Sequence, residues 1–349
     1  MSRYLFFIAI ILLISCQKKE NDLFTIPVNT HDLVDIPLST IAERIDKIEL
    51  ETTDESLISR VKQVLCNDEY IVIVGSKNIF LFNNQGDFIS QIGRVGNGPG
   101  EFNYAGKVCV DWKNKKLYST DYMQFICYNL NGEFVAEKKS IIKGKAKYAA
   151  NVGESIYIVQ EMWEQKATHS SLLVLDKDLE TIKDSIDIRF VSLPNMRLTF
   201  SSYEDLMTIE NGQIYLYFPE LNPEKCMRDT LYVVKDHKLN PYLRLSFGDI
   251  YNMDGYKTIY LMNIYKSARY VFATFLTQDN QKECVQFCYD TQTQQGGCVR
   301  GYTDDIHSTG KVVLRPLHTD GERFWFTKTI WDGEGDEPNP TLFIGTLKK

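Results

Sequence analysis

Few side chains in this sequence have both the type and the setting to do chemistry. Lys62, Lys107, Tyr203, Glu204, Arg269, Arg315 and His318 each lie on or beside a short run of strand-forming residues. Arginine, lysine and tyrosine in such places can hold a carboxylate, a sugar hydroxyl or a peptide backbone. A second group sits in irregular polar stretches: Trp163 in the segment 161–170, Trp331 in 331–340, Tyr104 just after a glycine-rich turn, and Arg94 inside that turn. Indoles held in polar loops suit the faces of sugars. The plain alternatives are a water-filled cavity for the first group and gap filling between sheets for the tryptophans.

Other chemistries find less support. The chain has 5 histidines, too few for most multi-histidine metal centres. It contains no Gly-x-Ser-x-Gly and no His-Glu-x-x-His, so no nucleophile or zinc site is assigned, and no catalytic residue is named. The acidic loop 332–337 offers oxygens that calcium could use, yet it lacks EF-hand spacing, and no cofactor is expected. Gly93, Gly96, Gly98 and Gly100 superficially suggest a phosphate cradle. No Lys-Ser/Thr follows them, and Pro99 removes a backbone donor, so a crossover between sheets fits better. There Glu101 would cap loop amides and pair with Arg94. A net charge of −7 argues against a nucleic-acid partner.

The first residues read as an address. Arg3 precedes the apolar run Tyr4–Ile14, too short to span a bilayer but right for the core of a signal peptide. The run ends in Leu13-Ile14-Ser15-Cys16 and then turns polar. This is the pattern of a bacterial lipobox, in which the cysteine is lipidated and becomes the new N-terminus. The expected organisation is a signal peptide over 1–15, a lipidated tether over 16–22 and one domain over 23–349. More than one acyl chain would make anchoring at a membrane stable, with the outer membrane favoured. Seven cysteines remain, so at least one is unpaired. Cys288 and Cys298 flank a turn-like stretch and are candidates for a disulfide across a hairpin.

The elements that must position these residues are strands. Only Thr40–Lys47 reads as a short helix. Elsewhere, runs of four to seven β-formers are broken by Gly, Asn and Asp. The segment 70–92 aligns without a gap on 116–138, and both copies read strand, turn, strand, Asn-x-x-Gly-Asp/Glu-Phe, strand. Gly86 and Gly132 fall where a tight hairpin needs positive φ. Four weaker copies follow. Units of four short strands at this spacing match the blades of a β-propeller, and six copies predict six blades. The last copy stops after its third strand, while Phe24–Val28, Asp35–Leu38 and Lys47–Glu51 supply spare strand material. An N-terminal strand is therefore expected to complete the last blade. A closed ring leaves few edges, and a monomer is expected.

The innermost strand of each blade would line a central channel. The candidates are Val61–Cys66, Lys107–Asp111, Lys147–Asn151, Thr199–Glu204, Arg269–Ala273 and Val312–His318. They carry most of the ligand-gripping residues named above.

The string Ile92-Gly93-Arg94-Val95-Gly96-Asn97-Gly98-Pro99-Gly100-Glu101-Phe102 resembles the Gly-Pro-Gly-Glu-Phe connection of NHL-type propellers. The preceding segment 82–88 resembles the hairpin of that family. With the lipobox and the lead-in Ile45–Glu51, the chain resembles the six-bladed β-propeller lipoproteins of Bacteroidetes. The resemblance is close in the first two blades, since the later ones lack the Gly-Pro-Gly-Glu-Phe string. It implies an all-β, six-bladed, NHL-like propeller in the cell envelope. The propeller reading, with no nucleophile, metal or cofactor motif in the sequence, points to a non-catalytic binding or scaffolding module for a glycan, peptide or protein. The alternative it leaves open is an NHL-type enzyme, a metal-assisted lyase or hydrolase using His318, Glu204 and Asp111 in the channel.

Overall fold

The computed structural model describes residues 23–120, 124–192, 206–220, 224, 226–248, 250–251, 253, 255, 257–277, 284–317, 321–331 and 333–349. Six antiparallel sheets follow one another along the chain. Blade 1 holds Gln63–Cys66, Tyr70–Val74, Ile79–Asn83 and Phe88–Gln91; blade 2 holds Lys107–Asp111, Lys116–Thr120, Gln124–Asn129 and Phe134–Lys139. Blade 3 is the tallest, with Lys145–Val152, Ser155–Glu164, Ala167–Leu175 and Ile182–Ser192. Blade 4 holds Met207–Glu210, Gln213–Leu216, Thr230–Lys235 and Lys238–Phe247; blade 5 holds Ile259–Lys266, Tyr270–Thr277, Cys284–Asp290 and Gln295–Val299. Blade 6 takes Arg315–Pro316, Arg323–Lys328 and Thr341–Leu347 from the end of the chain, and Ala42–Ile48 from its beginning. The protein is an all-β, six-bladed propeller.

The sequence explains why these strands stack radially. Tyr70–Val74 and Ile79–Asn83 are nearly continuous apolar runs, which suits strands covered on both faces. Successive side chains point to opposite faces. Accordingly Ile71, Ile73, Phe80 and Phe82 join the apolar layer toward blade 6, while Val72, Val74, Ile79 and Leu81 join the layer toward blade 2. Six such layers fill the six gaps between neighbouring blades.

Closure follows the expected principle through a different segment. Ala42–Ile48 pairs antiparallel with Thr341–Leu347 as the outer strand of blade 6. The helix expected over Thr40–Lys47 is confined to Leu38–Ile41. The cause is a bulge between Ala42 and Arg44, which adds one residue to the strand's period of two. It keeps the buried Ala42 and Ile45 on one face although they are three apart; Ile48, three further on, is buried on the opposite face, and the three together imitate the spacing of a helix. Phe24–Val28 does not reach blade 6. It adds a fifth strand to blade 4, parallel to Lys238–Phe247. The segment between then crosses blade 5, where the Val34 amide donates to the Cys298 carbonyl at 2.8 Å, and Asp305 accepts from the Ser39 amide at 2.9 Å. The N-terminal segment thus straps blades 4, 5 and 6 together from outside.

Gly86 and Gly132 have φ of +98° and +87°, as the hairpins require. At Gly86 a Cβ would also lie 2.2 Å from the Glu49 carbonyl oxygen, so the closing segment can cross that hairpin only over glycine. The disulfide considered between Cys288 and Cys298 is absent. Cys288 lies opposite Gly297, and Cys298 opposite Phe287, so the two thiols point into different inter-blade layers. Burial pushes each thiol up to about 12, which leaves it protonated and inert at neutral pH.

Three of the inner strands differ from expectation. In blade 5 the inner strand is Ile259–Lys266, and Arg269–Ala273 leads into the second strand. In blade 4 it is Met207–Glu210; Thr199–Glu204 lies outside the described residues. In blade 6 Arg315–Pro316 holds the position, while Val312 belongs to a separate hairpin of Tyr302–Asp304 and Gly310–Val312.

Two links between elements yield predictions. Asn339, buried in the long loop of blade 6, accepts from the Ile58 amide and donates to the carbonyls of Glu51 and Ser56. Asn339→Ala leaves those buried groups unpaired, and equilibrium unfolding in urea should show a loss of about 2–4 kcal/mol; a loss below roughly 0.5 kcal/mol would mean the joint is dispensable. At the other face His237 of blade 4 meets Asp184 of blade 3 at 2.6 Å, and the Asp184 hydrogen bond holds the imidazolium above its usual pKa. The contact is complete below the unfolded pKa of about 6.5 and fades as pH rises through the raised folded value. An NMR titration should place the His237 pKa above about 6.5 in the native chain and lower it toward about 6.5 in Asp184→Asn.

Candidate functional site

Every inner strand runs in the same direction about the ring axis, so their starting ends share one face, called the upper face here. Lys62 immediately precedes the inner strand of blade 1, and Lys107, Lys145 and Arg315 open those of blades 2, 3 and 6. The strands stand close. Gln63 Nε2 donates to the Val108 carbonyl at 3.1 Å, and Lys107–Asp111 packs directly against Lys145–Val152. Four consecutive blades, 6, 1, 2 and 3, therefore each carry a basic residue at or beside the upper start of the inner strand.

Blade 3 adds a fifth by a local distortion. The ladder between its first two strands shifts between Ala146 and Tyr148, which leaves Lys147 as the extra residue of a bulge. Lys147 turns inward, 3.0 Å from Glu161 and with its ammonium 5.4 Å from the centre of the Trp163 ring. Glu161 also takes Arg189 at 2.8 Å; Arg189 reaches Glu224 at 3.2 Å, and Glu224 takes Arg228 at 2.7 Å. This chain of charges is buried except at Arg228. It joins the top of blade 3 to the long upper loop of blade 4, where Arg189 also lies 4.3 Å over the Phe218 ring. Burial depresses the Lys145 ammonium below the usual lysine range, and Lys147 and Lys62 push it the same way, against the pull of Glu161.

Other candidates scatter. Arg94 and Tyr104 are on the upper crossover between blades 1 and 2. Arg94 Nε donates to Glu101 at 2.6 Å, and the other Glu101 oxygen accepts from the Gly98 amide at 2.8 Å. The glycine-rich string is thus folded around its own glutamate. Gly93, at φ +62°, leaves no room for a Cβ, which would meet the Tyr128 hydroxyl at 2.5 Å. Trp331 is 47% exposed on the upper loop of blade 6, beside the exposed Ile330. A cleft of about 470 Å³ near that loop is lined by Ile58, Arg60, Thr327, Glu337 and Pro338, among others. Arg315 stacks its guanidinium 4.5 Å over the buried Trp325 ring.

Arg269 is corrected away from the mouth. It sits at the lower face, paired with Asp290 at 2.6 Å and donating to the Lys349 carbonyl. Asp111 closes the lower end of its strand and is buried against Lys177 at 2.5 Å. Burial raises its carboxyl pKa, but hydrogen bonds from Lys177 and Asn114 outweigh this and hold it below the ordinary value. Tyr203, Glu204 and His318 lie outside the described residues, as does Cys16. Lys145, Lys147, Glu161 and Arg189 were not foreseen. The one signal was the Lys-x-Lys-x-Lys spacing of 143–147, which marks one face of a strand only while no bulge intervenes.

Comparison with known proteins fits this architecture. The chain belongs to the family described as a domain of unknown function, DUF4934, which matches residues 23–334. Among curated proteins none matches it. A protein of Bacteroides fragilis described as exported has a similar structure, with a TM-score of 0.64 at 16% identity over 93% of this chain and 99% of that one. The β-propeller domain of the Trilobed protease from Pyrococcus furiosus aligns with a TM-score of 0.40 at 12% identity, over 80% of this chain and 85% of that one.

Glu161→Gln leaves Lys147 and Arg189 buried against a neutral amide. Unfolding in guanidinium should show a loss of roughly 3 kcal/mol, as for removing one partner of a buried pair. An unchanged midpoint would show that the charges do not hold blades 3 and 4 together.

Proposed function

We propose that this chain is a lipid-anchored propeller of the cell envelope that binds a ligand at the upper mouth of its channel and does no chemistry on it. The observation that carries the reading is that Lys62, Lys107, Lys145 and Arg315 stand at or beside the upper starts of four neighbouring inner strands, with Trp163 next to Lys147 at the top of blade 3. A glycan, a peptide or an envelope protein could each engage such a rim. The NHL-like enzyme reading is weaker, because Asp111, one of its three candidate residues, is engaged by Lys177 at the opposite face.

The address has support of its own. The lipobox ends at Cys16, and the structurally similar Bacteroides protein is described as exported. Phe24–Val28 runs parallel to Lys238–Phe247, which climbs toward the upper face, so Phe24 stands at the lower face. The span from Cys16 to Phe24 can reach no more than roughly 29 Å. A lipid on Cys16 would therefore hold the lower face near the membrane and leave the mouth open to the far side.

Two measurements test this. Metabolic labelling with a fatty-acid analogue should mark the full chain and not Cys16→Ser, and the variant should leave the membrane fraction. An unlabelled wild-type chain would refute the anchor. A thermal-shift panel of glycans and peptides, run with cross-linking in cells, should give a ligand whose effect is lost in Lys62→Ala with Lys107→Ala. A silent panel and no cross-linked envelope partner would refute the binding role.

A further inference from the structure

We infer that a cleft on the upper face of blade 1, outward of the channel mouth, binds a single carboxylate carried on an apolar body. Two pieces of chain wall this cleft of about 310 Å³: the lead-in 57–60, and the hairpin tip 75–78 between the second and third strands of the blade. The walls are joined at their base. The Lys62 amide donates to the Val74 carbonyl at 2.8 Å, and a Cβ on Gly75 would stand 3.3 Å from the Arg60 carbonyl oxygen, so the two backbones touch there. From the other side Asn339 holds the lead-in at Ser56 and Ile58. A cleft fixed in this way is shaped before a ligand arrives.

Its polar groups suit an anion. Arg60 and Lys77 bring charge, Ser59, Ser76 and Asn78 bring hydroxyls and an amide, and no carboxylate lines it. Among the described residues neither cation has an ion pair. Carboxylates do stand close by, but in the flanking clefts. Asp54 and Glu55 line one of about 410 Å³, and Glu337 lines another of about 470 Å³ that Arg60 also borders. None of the three is paired with Arg60 or Lys77. With acid on both flanks and base between, the middle cleft is where an anion is favoured, even in a chain of net charge −7.

The rest of the lining selects what the anion is attached to. Phe80, 2% exposed, and the half-buried Ile58 line the same cleft, and Leu57, 52% exposed, borders all three clefts. Covering that apolar surface is favourable, and a bare inorganic anion would leave it wet. A guanidinium fork matches the two oxygens of a carboxylate, and Lys77 adds a second charge on a flexible stem. The free end of a peptide with an apolar last side chain and a short fatty acid share this chemistry.

The test is calorimetric titration of the full chain at low salt with N-acetyl-Ala-Ala-Leu, the same peptide ending in an amide, and hexanoate, with acetate and inorganic phosphate as controls. The free-acid peptide or hexanoate should bind, and the amide should bind roughly tenfold more weakly than the acid. Arg60→Gln and Lys77→Gln should each weaken the carboxylate roughly fivefold. Both side chains are exposed, so neither variant threatens the fold. A preference for the peptide assigns the carboxylate to a chain end, and the reverse to a fatty acid. Silence of both carboxylates, acid and amide bound alike, acetate bound as tightly as hexanoate, or binding of phosphate alone overturns the inference. So does carboxylate binding that survives both substitutions and is lost in Lys62→Ala with Lys107→Ala, which would place the ligand at the mouth instead.

Discussion

Every blade of this protein depends on having two neighbours. The central strands bury both faces, so half of the apolar side chains of Tyr70–Val74 belong to a layer shared with blade 6 and half to a layer shared with blade 2. No blade has a core of its own. Such a sheet is stable only when flanked on both sides, and the sole finite arrangement that flanks every sheet is a ring. The ring then has one vulnerable place, where the two ends of the polypeptide must find each other. Loop-closure entropy opposes that meeting, and local contacts must outweigh it.

The N-terminal segment answers this constraint twice. Ala42–Ile48 supplies the missing strand of blade 6, and its apolar residues enter the layers on either side: Ala42 and Ile45 face blade 5, and Ile48 faces blade 1. Upstream, the strap along blade 5 and the added strand on blade 4 tie the closing strand to two further sheets. Opening the ring therefore requires more than one hydrogen-bonded strand to peel away.

How much of this was legible depends on whether local pattern and tertiary role agree. Apolar runs, the hairpin glycines at 86 and 132, and the 46-residue offset between Tyr70 and Lys116 announce blades, because each blade repeats one local solution. The closing strand hid behind its bulge, which turned a period of two into a spacing of three. Blade 5 was read one strand late. The short turn after Lys266 makes Arg269–Ala273 look like the start of a sheet, while Asn263 and Lys266 make the true inner strand look less like core. At the mouth, Lys62, Lys107 and Arg315 could be found by position, since the start of an inner strand is predictable from the repeat. Glu161 and Arg189 could not. They lie within long strands, and only the height of blade 3 above its neighbours brings them to Lys147 and Glu224.

That height links architecture to the site. Blades 1 and 2 have strands of four to six residues, and blade 3 has strands of eight to eleven. The additional residues stand above the apolar layers, where charged groups need to be buried only against one another. Arg189, Glu161 and Lys147 fill that storey, and the upper loop of blade 4 folds onto it through Glu224 and Arg228. A buried network of this kind adds little net stability compared with apolar packing, because desolvation offsets most of the attraction. What it gives is position. It fixes the bulged Lys147 and the indole of Trp163 at one side of the opening, opposite the cations that blades 6, 1 and 2 present. The top of blade 3 is thus held rigid through paired charge, an arrangement that apolar packing alone could not specify.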